Sequence, residues 1–186
     1  VFLDGDCVPR PDFVARHRAL AERGRLLSGS RILLNEAMTR EVVAQQIDIH
    51  LKDRAYWFAA WRAGRVNKFV PLLVPGLPVP RTLKDTSLRG IKSCNLGVWR
   101  SDFERVNGFD QSFVGWGHED ADLAVRLYNA GVRRKRGFCA TEVFHLWHRE
   151  QSREQESPNY QRMMARRNTD IIRADVGLAE LREQGA

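Results

Sequence analysis

No uninterrupted apolar run in this sequence is long enough to span a bilayer. The most apolar stretch, FVPLLVPGLPVP at 69–80, contains four prolines. Proline removes a backbone donor and fixes φ, so the stretch reads as an extended loop rather than a membrane helix. Cysteine is scarce: Cys7, Cys94 and Cys139 are far apart and odd in number. That excludes a disulfide framework and any paired zinc-ligand spacing, and it points to a reducing compartment. Internal repeats and low-complexity segments are missing too, which sets repeat architectures aside.

What is present fits one domain. A chain of 186 residues, 43% hydrophobic and 28% charged, can bury a sizeable core. The formal charge is +7, and Arg133-Arg134-Lys135-Arg136 concentrates part of the excess. Such a run could meet nucleic acid, anionic lipid or a phosphorylated substrate, and it could equally be a solvated strand face.

Periodicity and breakers suggest an alternating order of elements. Residues 1–3 read as the end of a buried strand, 11–23 as a helix, and RLLSGSRILL as a strand or strand pair. Residues 39–51 read as an amphipathic helix with Thr39 as its N-cap. Residues 53–89 read as irregular, a connection long enough to be a functional loop or lid. CNLGVW reads as a strand, RSDFERV as a short helix, and residues 118–130 as a helix closed by Gly131. VRRKRGF and ATEVFHLWH are further strands, and the polar tail is helical. The alternation argues an α/β fold.

Four features could carry chemistry. Asp4-Gly5-Asp6 places two carboxylates at the end of a strand-like run, where α/β sheets bind ligands and where a hard divalent cation would find oxygen donors. Asp and Gly are also ordinary turn formers. GWGHEDAD (115–122) sets three acidic residues at a helix start, which alone could be dipole compensation. Two glycines around Trp116 imply a backbone that must bend, and an aromatic beside carboxylates suits sugar binding and proton removal. His145 and His148, at i and i+3 near a strand end, could converge on a metal or be unrelated. Lys92, Ser93 and Asn95 alternate with apolar residues and could form a substrate-facing wall or a plain half-buried strand.

In this order the four features resemble the catalytic half of family-two glycosyltransferases of the GT-A fold. NGFDQSFVGWGHEDADLAVRL and FHLWH are most similar to the C-terminal region of β-1,4-galactosyltransferases. The resemblance implies a mixed sheet flanked by helices, the C-terminal portion of a GT-A (nucleotide-diphospho-sugar transferase) fold. It implies Asp6 as direct ligand of Mn²⁺ or Mg²⁺, with His148 and His145, and Asp4 on the nucleotide ribose or a metal-bound water. It makes Asp120 the catalytic base, Glu119 the holder of the acceptor sugar, and Trp116 the mobile aromatic over the donor. Gly117 and Asn95 would line the sugar site. Where the family often has a third consecutive acid, this chain has Ala121, then Asp122.

The implied reaction is inverting, metal-dependent transfer of a hexose or N-acetylhexosamine from a nucleotide sugar, expected to be UDP-linked. The acceptor would be a saccharide or lipid-linked saccharide, in cell-surface polysaccharide or lipopolysaccharide synthesis. The expected setting is cytoplasmic, at the inner face of a membrane with peripheral association, and without a nucleic-acid partner. In the family, about a hundred residues precede the Asp-x-Asp strand and build the nucleotide-binding half. The expectation is therefore an N-terminally truncated catalytic domain at 1–156, with an exposed strand edge at 1–3, and a helical tail at 157–186. Two other readings stand beside it: a nucleic-acid-binding module resting on the basic charge, and a non-catalytic sugar-binding domain using Trp116 and Glu119.

Overall fold

The computed structural model describes residues 1–73, 80–149, 152, 154 and 156–184. Its strands are β1 (Phe2–Leu3), β2 (Cys7–Pro9), β3 (Arg25–Ser28), β4 (Ser30–Leu33), β5 (Asn95–Gly97), β6 (Arg133–Arg136) and β7 (Glu142–His145). They form a four-stranded sheet in the order β1-β5-β3-β6 and a three-stranded sheet in the order β2-β7-β4. β3 runs parallel to β6 and β4 parallel to β7, while β1–β5, β3–β5 and β2–β7 are antiparallel. The chain passes directly from a strand of one sheet to a strand of the other at three places, the Asp4-Gly5-Asp6 turn, Gly29 and residues 137–141. β1 is an edge of its sheet, with Val1 and Leu3 exposed.

The Gly29 crossing is occupied by Asn95. Its amide nitrogen donates to the carbonyls of Ser30 (3.0 Å) and Thr141 (2.5 Å), and its Oδ1 lies 3.0 Å from His17 Nε2. One buried side chain thereby links β5, β4, the start of β7 and helix α1 (Phe13–Leu20). Burial lowers the pKa of His17, so the ring is neutral here, although its bond to Asn95 opposes the shift. A Cβ on Gly29 would lie 2.0 Å from the Asn95 amide, so only glycine fits.

The helices differ from expectation in two places. α2 spans Glu36–Ala44 and is capped by Asn35, whose side chain accepts from Met38 N–H; a 3₁₀ turn at Ile49–Leu51 is separate. Thr39 is buried in mid-helix rather than at the cap. Asn35 competes better because its side chain already reaches the free N–H groups of the first turn. The segment expected to be irregular contains α3 (Arg54–Arg62), capped by Asp53. Its Trp57 and Ala60, three apart, turn inward, and Trp57 stacks on Phe144 of β7 at 4.2 Å between ring centroids. Together with Ile32, Met38 and Ile49 they form the core behind the three-stranded sheet. The sequence 69–80 begins as α4 (Val70–Leu73); the rest of that expected loop lies outside the described residues up to residue 80.

α5 (Arg100–Arg105) and α6 (Glu119–Asn129) follow β5, and α7 (Glu156–Arg166) and α8 (Leu178–Gln184) close the chain. α6 packs into a core with Leu26, Leu96 and Val106. The tail is docked rather than loose. Asp122 of α6, fully buried, accepts from Arg126 Nε at 2.8 Å and from Arg166 Nη1 of α7 at 2.9 Å. Arg126 also donates to the carbonyls of Val106 and Gly108, and Arg166 reaches Asp110 at 2.8 Å. Burial opposes ionisation of Asp110. Bonds from Ser112, from the Asp175 N–H and from Arg166 outweigh it and hold the carboxyl well below the usual carboxylate range.

Gly29→Ala should cost about 3 kcal/mol or more, because displacing the Asn95 amide leaves two buried carbonyls unpaired; urea unfolding measures it. The Asp110 shift has a definite sign. Its folded pKa lies below its unfolded value, so its contribution is complete above about pH 4 and is lost as pH falls through the folded pKa. Stability measured down that acid range should therefore fall less steeply in Asp110→Asn than in the parent chain.

Candidate active site

The Asp4-Gly5-Asp6 turn is closed by Cys7 N–H donating to the Asp4 carbonyl at 3.1 Å. It faces the end of β7, where Leu146 N–H donates to the Asp6 carbonyl and Trp147 N–H to Thr39 Oγ1 at 2.8 Å. Thr39, misassigned as a cap, thus anchors the His-Leu-Trp-His segment to α2. β7 ends at His145, so the chain is free to bend before His148. The result is convergence: His145 Nε2 lies 3.6 Å and His148 Nε2 3.2 Å from the same oxygen, Asp6 Oδ2.

These groups line a cleft of about 330 Å³ together with Asp4, Trp116, Gly117, Glu119, Asp120, Lys92 and Ser93. Asp120 is 5% exposed at the start of α6, and its Oδ1 accepts from Ala121 N–H at 2.7 Å. Its Oδ2 is 3.7 Å from Lys92 Nζ. Glu119 has a buried carboxylate oxygen without a hydrogen-bond partner, the arrangement a ligand hydroxyl would satisfy. The loop before α6 needs its glycines. Gly115 and Gly117 have φ of 76° and 104°, and His118 also takes a left-handed conformation. Asn159 of α7 donates to the carbonyls of Val114 and Trp116, so the tail helps hold this loop.

Asn95, expected to face substrate beside Lys92 and Ser93, is 3% exposed and lines an adjoining cleft rather than this one, and its amide bonds the sheet junction. A strand alternation cannot distinguish a ligand-facing amide from one that bonds backbone across a chain crossing. Two participants had no local signal. Arg31 lines the cleft from β4 and acts on both Asp4 and His145. Cys7 donates to Asp6 Oδ1 at 3.6 Å, and its thiol pKa is pushed up by the bond with Cys94 and by burial.

The donor set fits a divalent cation. Asp6, Cys7 and His145 present possible ligand atoms within 4.8 Å of one another, and His148 adds a second imidazole. Cys7 held as a neutral thiol is a poor donor to a hard ion, which leaves one carboxylate and two imidazoles as ligands. Burial lowers the His145 pKa, with Asp6 opposing, and this favours the neutral ring a metal requires. Burial and the neighbouring Asp6 raise the pKa of Asp4, as crowded carboxylates should.

Residues 82–149 match the family model described as the N-terminal domain of galactosyltransferase. This segment is similar to glycosyltransferases of that type, and the two mixed sheets with flanking helices are compatible with a partial GT-A-like fold. Among curated relatives, the chain is 47% identical over 38 residues to validoxylamine A glucosyltransferase of Streptomyces hygroscopicus, covering 20% of this chain and 9% of that protein. It is 31% identical over 88 residues to human chondroitin sulfate N-acetylgalactosaminyltransferase 2, covering 46% of this chain and 16% of the relative. It is 28% identical over 88 residues to human β-1,4-galactosyltransferase 2, covering 47% and 23%. The chain thus spans less than a quarter of the length of each of these relatives.

Thr39→Val should remove the acceptor of the Trp147 N–H. Native-state hydrogen exchange at Trp147 should then speed up by about tenfold, with Leu146, bonded to Asp6, unchanged.

Proposed function

We propose that this chain carries the acceptor-side catalytic machinery of an inverting, metal-dependent glycosyltransferase. Its substrate would be a nucleotide sugar, UDP-linked, donating a hexose or N-acetylhexosamine to a saccharide. The observation that carries the reading is one cleft holding Asp6, His145 and His148 together with Asp120 and Glu119. The printed names of the relatives, which transfer glucose, galactose or N-acetylgalactosamine, support the donor class.

The chemistry follows from the groups. Asp120 takes the proton of an acceptor hydroxyl as that oxygen attacks the anomeric carbon. The new C–O bond forms on the face opposite the breaking bond to the diphosphate, so configuration inverts and the nucleoside diphosphate leaves. With Oδ1 held by Ala121 N–H, Oδ2 is the freer oxygen for the proton. Glu119 accepts a hydrogen bond from a second hydroxyl and orients the acceptor. Trp116, on its doubly glycine-flanked loop, covers the donor sugar and excludes water. Asp6, His145 and His148 would hold a divalent cation, which when bound would supply Lewis-acid neutralisation of the diphosphate charge. Asp4 would contact the nucleotide ribose or a metal-bound water.

The pathway proposed is assembly of cell-surface polysaccharide or lipopolysaccharide on a lipid-linked acceptor, at the cytoplasmic face of a membrane with peripheral association. The net charge of +7 supports contact with an anionic surface. Among the described residues no helix is long and apolar enough to cross a membrane.

Carried in a chain that also has a nucleotide-binding half, this site should release nucleoside diphosphate from one of a panel of nucleotide sugars in the presence of Mn²⁺. Asp120→Asn should lower that rate by roughly 10²–10⁴-fold while leaving Mn²⁺ affinity, read by calorimetry, unchanged. Asp6→Asn should weaken Mn²⁺ binding by about tenfold or more. Release that ignores Asp120→Asn would refute the assignment of the base.

A further inference from the structure

A second cleft, of about 650 Å³, adjoins the first and shares Arg31, Leu33, Lys92 and Cys94 with it. Its walls carry Arg31, Lys68, Arg89, Lys92, Arg134 and Arg136, and among the described residues no carboxylate lines it. The basic run of β6 divides by strand alternation. Arg134 and Arg136 line the cleft, whereas Lys135 pairs with Glu22 at 2.9 Å and Arg133 donates to the Tyr128 carbonyl. Arg134 is only 7% exposed, and its bonds go to neutral acceptors: Ser28 Oγ and the carbonyls of Ser87 and Arg89. Lys68 likewise donates to Ser30 Oγ. Burial lowers the Lys68 pKa, the buried Glu142 opposes, and Arg31 adds to the shift. Elsewhere the fold neutralises its arginines with carboxylates, as in Arg25–Asp85 and Arg126–Asp122. Here, Lys92 apart, which faces Asp120 at the boundary, cations are gathered in a concavity whose described lining carries no carboxylate, an arrangement that repels itself until an anion enters.

We propose that this cleft binds an anionic saccharide, which on the transfer reading above is the acceptor. Its charged groups would be oxyanions, either uronate carboxylates or sugar-linked phosphates, within a few sugar units of the attacked hydroxyl. The placement argues for acceptor over donor. The donor diphosphate belongs against Asp6, His145 and His148, and none of these lines the basic cleft. Lys92 lies on the boundary, 3.7 Å from Asp120, so a hydroxyl at the base leads the rest of its molecule into the basic walls.

The test is a calorimetric titration of the purified chain with two matched pairs of probes. The first pair is a tetrasaccharide alternating hexuronate with N-acetylhexosamine and its carboxyl-reduced, neutral counterpart. The second is a short-prenyl diphosphate N-acetylhexosamine and the neutral glycoside of the same sugar. At low salt at least one anionic member should bind about tenfold tighter than its neutral partner, and high salt should shrink the gap. The pair that shows the gap identifies the source of the oxyanion. The double variant Arg89→Gln/Arg136→Gln, changed at exposed side chains, should abolish the preference, and Asp6→Asn should not. The idea is overturned by equal binding within both pairs, by a preference that survives the double variant, or by equally tight binding of random duplex DNA. A preference without sugar transfer would sink the transferase reading and leave the cleft standing. Transfer to neutral acceptors at an equal rate would do the reverse.

Discussion

Asp122 sits with no solvent exposure between two guanidinium groups, and the geometry of the site depends on that arrangement. Arg126 binds it from one turn further along α6 and carries the Val106 and Gly108 carbonyls with it. Arg166 binds it from α7 and carries Asp110 and Asp175. A buried ion pair contributes little net stability against an apolar replacement, but removing one partner strands a charge. Its structural effect here is registry: it sets where the first turn of α6 stands relative to the Asn-Gly-Phe-Asp turn and the tail. Asp120 and Glu119 inherit their positions from it, since both lie in that first turn.

The other half of the site is placed by the junction of two sheets. The two tightest strand-to-strand passages, at Asp4-Gly5-Asp6 and at Gly29, occur where one sheet gives way to the next. Backbone groups at such a crossing lose their ladder partners and must find others. Asn95 satisfies two of them through Gly29, and the Asp6 carbonyl is satisfied by Leu146 N–H. That last bond, with Thr39 holding Trp147, brings both histidines to the Asp6 carboxylate. The cleft therefore opens at the seam between the sheets, with metal-suited ligands on one wall and carboxylates of α6 on the other.

Much of this was legible in the residues. The strand at 95–97, the helix after His118, the two later strands and the helical tail lie where periodicity and breakers put them, and DGD, WGHED and HLWH do meet in one cleft. The misreadings have a common cause. Thr39 has the chemistry of a cap, yet Asn35 takes the role, because capping depends on which residue stands at the actual first turn. YWFAAW has an aromatic density that hides a helical face, and the stacking of Trp57 on Phe144 decides it.

By itself the sequence determined the local chemistry: which side chains can bind a cation, take a proton or tolerate a left-handed backbone. Those properties belong to residue type and short spacing. Gly115 and Gly117 announced a bent loop before its φ values were known, and the RRKR run announced a basic surface. Only the tertiary structure decided what those side chains face. It turned Arg134 and Arg136 into a cleft while spending Lys135 on Glu22, and it set Asp6 against histidines some 140 positions away along the chain. Contacts over such separations are made by sheet pairing and helix packing. Spacing in the sequence carries no direct record of them.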